Sequence, residues 1–490
     1  MPFFIRMGAN AVAILLIGYL LPRVISADGV MAALVAAFVL GLVNAVVRRA
    51  RFLVDCGLFQ GGGESDRKNR RRMPVPPSSI DFVLSSHAHI DHSGLLPKLV
   101  RDGFRGPIYC TPATADLLGI MLPDAGHIQE KEAEWETRKR ERGGKKEVIP
   151  LYTEADAMAV LPALRPVPYG EAFAPGTGVS AAFLDAGHIL GSAIVTVTVA
   201  DGGREKKLVF SADLGHRGLP IVRDPAPVPR ADALVIESTY GNRLHKGMED
   251  TVEEFVHAVE DTLRRKRGNV VIPAFAVGRA QDILYLLADL TRKGRLSGIT
   301  LYIDSPLAAE ATRITLRHPE CYDDETREVF AWRIAHPDAL KVVLVRDAEE
   351  SRALNSLRGG AILMAGSGMC EAGRIKHHLK HNLWRRECSV VIVGFQAQGT
   401  LGRKIVDGSK RVRIFGEEIA VAADVYTIGG LSAHADRDDL LAWAGRFESP
   451  PANVFVAHGE ESVSVEFAGT LHEKLGWRAQ VPSAGQPLVI

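Results

Sequence analysis

Between Ser85 and Gly94 the chain reads SSHAHIDHSG, which sets His87, His89, Asp91 and His92 within six positions. Imidazoles and carboxylates packed this densely cannot all be buried unpaired without a heavy desolvation cost. A metal ion supplies the compensation, and neutral imidazoles with carboxylates suit zinc. His87 and His89 alternate along the chain and project to one side, where they can hold one ion. Asp91 and His92, one step further round the turn, can hold a second. A polar surface turn is the alternative, which the density of ligand-type residues disfavours. Two ions need more donors, and three polar residues at later strand ends supply them: His188 in LDAGHILGSA, Asp213 in KLVFSAD and His458 in NVFVAHGE. Alone, each would be an ordinary polar residue. Together they complete one site from His87, His89, His188 and Asp213, and another from Asp91, His92, His458 and Asp213, with the two oxygens of Asp213 as the bridge.

These residues must be held by something. From Arg51 onward, short β-branched runs end in polar or glycine residues: FLVD, DFVLSS, KLVFSAD, ALVIES, NVVIPA, TLYIDS, AILMAG, SVVIVGF and NVFVAHG. Helical patterns follow several of them, as at Gly278 to Leu290, Glu371 to Asn382 and in a helix starting near Ser93. This rhythm predicts α/β layers, in which ligands collect beyond the carboxyl ends of strands. AGSGMCEAGR is a glycine loop entering a helix, whose free N–H groups favour anions. Ser367 and Arg374 there, and Thr400 and Arg403 in QGTLGR, are candidates to grip a phosphate backbone; a plain strand–helix turn is the alternative.

At 490 residues the chain is long enough for two or three domains. A net charge of +1 argues neither for nor against a polyanionic partner, since only a local basic patch would matter. Five scattered cysteines without a CxxC pair point to a reducing compartment and no disulfide framework. The first fifty residues differ. Met7 to Leu21 and Gly29 to Val47 are apolar runs of about fifteen and nineteen residues, against about 20 for a spanning helix. The reading is a helical hairpin over residues 7–47 that serves as a membrane anchor or, alternatively, packs on the soluble part. Arg6 precedes the hairpin and Arg48, Arg49 and Arg51 follow it, so the positive-inside tendency places both ends, and the catalytic domain, at the inner face of the cell membrane.

HxHxDH, the later glycine-flanked histidine and SADLG resemble the metallo-β-lactamase superfamily. ESTYGNRLH, IDSPLA, GSGMCEAGRI, GFQAQGTLGR, GGLSAHADRDDL and VAHGEE, in that order, resemble its β-CASP branch, the nucleic-acid-processing members. The type is similar to the ribonucleases related to the mRNA 3′-end cleavage endonuclease. The resemblance implies an αββα metallo-β-lactamase sandwich interrupted by a Rossmann-like β-CASP domain. It divides the chain into residues 1–49 (apolar hairpin), 50–229 (metallo-β-lactamase, first part), 230–427 (β-CASP) and 428–490 (metallo-β-lactamase, remainder), with the active site in the cleft between domains.

The resemblance also implies roles. Asp55 in LVDCG matches the acid that supports the metal loop; Glu237, His434 and His458 match motifs A, B and C. His434 would contact the scissile phosphate and protonate the leaving oxygen, with Glu237 orienting it. The implied activity is zinc-dependent hydrolysis of single-stranded RNA, endonucleolytic with a 5′-3′ exonuclease action open, using two zinc ions; the histidine at motif C favours RNA over DNA. A small-molecule hydrolase and an inactive RNA-binding subunit are the rivals, and the sequence leaves a homodimer open. One departure stands out. The glycine-rich β-hairpin that usually precedes the strand matching Phe52 to Asp55 is missing, and the apolar segment resembles phage-holin membrane proteins instead. An unpaired sheet edge is expected there.

Overall fold

The computed structural model describes residues 50–59, 63–141, 147–201, 204–394 and 396–488. The apolar segment at residues 7–47 lies outside them. Among the described residues, no helix is long and apolar enough to cross a membrane.

All nine β-branched runs form strands, and they sort into three main sheets with a separate hairpin. A four-stranded parallel sheet runs in the order Phe52–Val54, Phe82–Leu84, Ile108–Cys110, Leu164–Pro166. Among the described residues Phe52–Val54 is its edge, where the missing hairpin was expected to leave one, and the Phe52 ring stacks 5.0 Å from Phe82. A seven-stranded mixed sheet faces it, with Tyr109 of the first sheet 4.8 Å from Phe173 of the second. Antiparallel strands from Phe173 to Phe210 lead into Ala233–Glu237, which pairs in parallel with Asn453–Ala457.

That last pairing determines the architecture. Between Glu237 and Asn453 the chain leaves to build a six-stranded sheet whose pairs are all parallel, in the order Lys341–Leu344, Thr300–Ile303, Ile362–Ala365, Val270–Pro273, Ser389–Ile392, Asp424–Thr427. Its central strands, VVIP, ILMA and SVVI, are buried throughout, as expected where helices cover both faces. Ala233–Glu237 falls inside the 230–427 span yet is hydrogen-bonded in the seven-stranded sheet, so the six-stranded sheet's own strands begin at Val270.

Two helical expectations shift. The Glu371–Asn382 pattern becomes helical only at Ile375, because Cys370 (φ 65°) and Gly373 (φ 77°) are left-handed. The helix expected near Ser93 is two: a turn over Ile90–Ser93, then Leu96–Arg101 with Pro97 in its first turn.

Candidate metal centre and its proton donor

Asp55 closes the strand Phe52–Val54 with a left-handed φ of 63°, a conformation that costs a non-glycine residue about 1–3 kcal/mol and persists only where surrounding contacts fix it. Those contacts are present. The Ser86 amide and hydroxyl donate to its two carboxylate oxygens, each at 2.7 Å, and His92 Nδ1 lies 2.8 Å from Oδ2. Ser86 Oγ is in turn 3.0 Å from His87 Nδ1. One carboxylate therefore sets two imidazoles, leaving Nε2 of each to face inward. Such outer acids fix the tautomer of ligating histidines. On the far side, His188 Nδ1 donates to the Ala433 carbonyl at 3.1 Å and frees its own Nε2.

The inward atoms converge. His89 Nδ1 lies 3.1 Å from His87 Nε2 and 3.2 Å from His188 Nε2, and both of those Nε2 atoms are 3.6 Å from Asp213 Oδ2. A few ångströms away, His92 Nε2 faces His458 Nε2 at 3.0 Å; His92 Nε2 and His458 Nδ1 each stand 3.2 Å from Asp213 Oδ1, and Asp91 Oδ2 is 3.9 Å from His458 Nε2. All seven expected ligands are thus brought together, as one group of His87, His89, His188 and Asp213 and another of Asp91, His92 and His458, with Asp213 between them.

The set fits zinc. Donors about 2.0–2.1 Å from a tetrahedral ion stand roughly 3.3 Å from one another, close to the nitrogen–nitrogen spacings here. His89 Nδ1 can share a proton with one neighbouring nitrogen at most, so the other approach sets lone pair against lone pair. Asp213 is buried, and neither of its oxygens has a contact of hydrogen-bond geometry despite the nearby rings. A carboxylate in that position needs a cation. Burial, reinforced by His92 for His87 and by His434 for His188, pushes both rings well below the ordinary histidine pKa, which keeps them neutral and able to ligate.

Glu237 ends its strand beside this centre, buried, and accepts from the Leu214 amide (2.7 Å), the Thr239 amide (3.2 Å) and His434 Nδ1 (3.3 Å). His434 Nε2 points toward Asp213 Oδ2 at 3.9 Å. Burial alone would lower the His434 pKa, but Glu237 and then Asp213 outweigh it and hold the ring at about 9. The Glu237 carboxylate beside the ring thus favours its protonated form.

The residues expected to contact substrate each make local hydrogen bonds. Ser367 Oγ accepts from the Glu371 and Ala372 amides, Arg374 Nη1 donates to buried Asp304 at 2.6 Å, and Thr400 caps the helix Leu401–Val406 through the Arg403 amide. These residues first of all hold their own loops. Arg403 lines a cavity of about 330 Å³ with Tyr240, Arg243, His245 and Ser432. The sequence reading missed Ser86, Tyr240, His245 and two glycines. Gly57 backs onto the Asp91 carbonyl, and Gly215 backs onto that of Gly187 and bridges His434. All but Ser86 and Gly57 act across distances in the chain that no local pattern displays.

Comparison with known proteins shows the family. Residues 50–266 match the family model for a beta-lactamase superfamily domain, 280–405 a Beta-Casp domain, and 418–482 a Zn-dependent metallo-hydrolase RNA specificity domain. Residues 1–58 match a mycobacterial 4 TMS phage holin, superfamily IV. The chain is 40% identical over 413 residues to Ribonuclease TTHA0252 of Thermus thermophilus, covering 84% of this chain and 88% of that one. It belongs to the β-CASP branch of the metallo-β-lactamase superfamily. This β-CASP protein is also 32% identical over 437 residues to the transcription termination factor FttA of Methanosarcina mazei, covering 87% of this chain and 66% of the factor. Against FttA of Pyrococcus abyssi it is 32% identical over 421 residues, covering 82% and 61%. The five cysteines of this β-CASP protein are buried and unbridged, and burial lifts the Cys56 and Cys110 thiols to about 12, so neither serves as a nucleophile.

Proposed function

We propose that the chain is a ribonuclease that hydrolyses single-stranded RNA at a centre of two zinc ions. The observation that carries this is the Glu237–His434 pair set against the seven-ligand cluster: a buried carboxylate holding a protonated imidazole where a phosphodiester's leaving oxygen would depart. When bound, two such ions activate a water and polarise a phosphate oxygen. The chain's own residues do the rest. Asp55 and Ser86 fix His92 and His87; Asp213 lies between the two clusters; Glu237 fixes the tautomer of His434. His434 gives its proton to the departing ribose O3′, so that the phosphate stays on the 5′ end of the product. Arg374 keeps most of its guanidinium fork for a backbone phosphate, while Ser367 and Thr400 shape the loops beside it. The names of the relatives, a ribonuclease and termination factors, support RNA as substrate.

Zinc analysis with cleavage of end-labelled single-stranded RNA tests this. About two zinc per chain and RNA turnover are expected; two zinc with ester hydrolysis but no RNA cleavage would sink the reading. We also propose the domain division 50–229, 230–427 and 428–490. Residues 7–47 would form a membrane anchor that places this unit at the cytoplasmic face, a reading supported by the holin match and the flanking arginines. Carbonate-resistant sedimentation with membranes is the expected result, and a full-length chain soluble without detergent would rule the anchor out.

A further inference from the structure

His434 can act only if its ring is held, and the Glu237 contact at 3.3 Å is long for that task. Its main chain is fixed from two sides. On one side the Ala435 amide donates to Leu214 O at 2.7 Å, and Gly215 bridges His434 itself. On the other stands His245, in the loop that follows Glu237. His245 Nε2 lies 3.0 Å from the carbonyl oxygen of His434, an acceptor, so this nitrogen carries the proton and donates. The loop around it is tied to the same segment three more times. The His245 amide donates to Asp436 Oδ2 at 2.9 Å, the Arg437 amide donates to Arg243 O at 3.1 Å, and Tyr240 bridges Asp436. The Tyr240 ring lies 4.9 Å from the His245 ring and 6.0 Å from that of His434. A loop histidine with no task would turn its ring to water; this one places its donor on the peptide of the proton-donating residue.

We propose that His245 is a positioning residue for His434: its hydrogen bond to the His434 carbonyl sets the backbone from which the proton donor reaches the leaving oxygen. The proposal rests on the proton-donor role assigned to His434. It makes one loop serve twice, since the strand end that supplies Glu237 to one face of the imidazole continues into the residue that holds the peptide behind it. Displacement of a reacting group by about 1 Å can cost up to roughly a hundredfold in rate, so a lost tether should lower turnover without touching the metal ligands.

The test uses the full-length, zinc-loaded chain and a labelled single-stranded RNA. His245→Ala should lower kcat about tenfold or more with KM and zinc content unchanged. His245→Gln, whose side-chain N–H falls close to the position of Nε2, should recover most of that loss. In the double variant His434→Ala with His245→Ala, removing His245 should cost nothing further, because the residue acts through His434. The Ala435 amide should also exchange faster with solvent in His245→Ala. An equal proportional loss in the His434→Ala background, a loss of zinc, or failure of glutamine to rescue would overturn the proposal and leave His245 a structural tie. His434→Ala with undiminished kcat would instead strike at the proton-donor role, and this proposal would fall with it.

Discussion

Gly57→Ala is a one-methyl change that should empty half of the metal centre. A Cβ on Gly57 would stand 1.4 Å from the Asp91 carbonyl oxygen, 2.1 Å from its carbon and 2.7 Å from the His92 amide nitrogen. All three are main-chain atoms, so no side chain can swing aside. Restoring a contact of about 3.5 Å requires the Asp91–His92 turn to retreat by roughly 2 Å. That retreat strains the hydrogen bonds on either side of Gly57, Cys56 N to His92 O at 2.8 Å and Leu58 N to Ile90 O at 2.9 Å. Each buried backbone group left unmade costs about 1–3 kcal/mol, so the variant should lose roughly 2–5 kcal/mol in urea unfolding. Zinc should fall toward one per chain, because His87, His89 and His188 are held by other contacts, and RNA cleavage should fall with it. Gly119→Ala is the control. It lies inside the helix Pro112–Glu141 with nothing within 4 Å of the added methyl, and should gain about 0.5–1 kcal/mol. If Gly57→Ala unfolded within about 0.5 kcal/mol of the parent and kept all its zinc, the steric argument would be wrong.

Asp213→Ala should abolish both zinc retention and RNA cleavage, since its two oxygens face both clusters; a variant that still bound two ions by elemental analysis would contradict the bridge. His434→Ala should keep zinc while the single-turnover rate drops about 10²–10⁴-fold, the usual worth of a proton donor; zinc loss would show that it is a ligand. Ser86→Ala removes the hydroxyl between Asp55 and His87, and should weaken zinc affinity about 10–100-fold in a chelator competition while leaving the fold intact.

How much of this could be read from the sequence depended on distance along the chain. His87, His89, Asp91 and His92 declare themselves because four ligand-type side chains share one turn. The nine strands were legible because β-branched runs punctuated by glycine carry their own pattern. His188, Asp213 and His458 gained meaning only as a set, and Glu237 and His434 only through the family resemblance. Gly57, Gly215 and His245 were invisible as functional residues. Their importance lies in which backbone they touch, and Gly215 and His245 touch residues about two hundred positions away. The candidate phosphate-gripping residues are hard to read for a related reason. A glycine loop with a serine, threonine or arginine announces a turn equally well, and Ser367 and Thr400 spend their hydroxyls on their own loops.

The return of the chain to its seven-stranded sheet also puts the centre on a clock. His188 meets His89 across only 99 positions, but His92 must wait for His458, 366 positions later. At about 5–20 residues per second of synthesis, roughly 20–70 s separate the emergence of those two ligands. Once Asp213 has emerged, the nascent chain carries one set of donors complete while the other still lacks His458, and His434 follows only shortly before that last histidine.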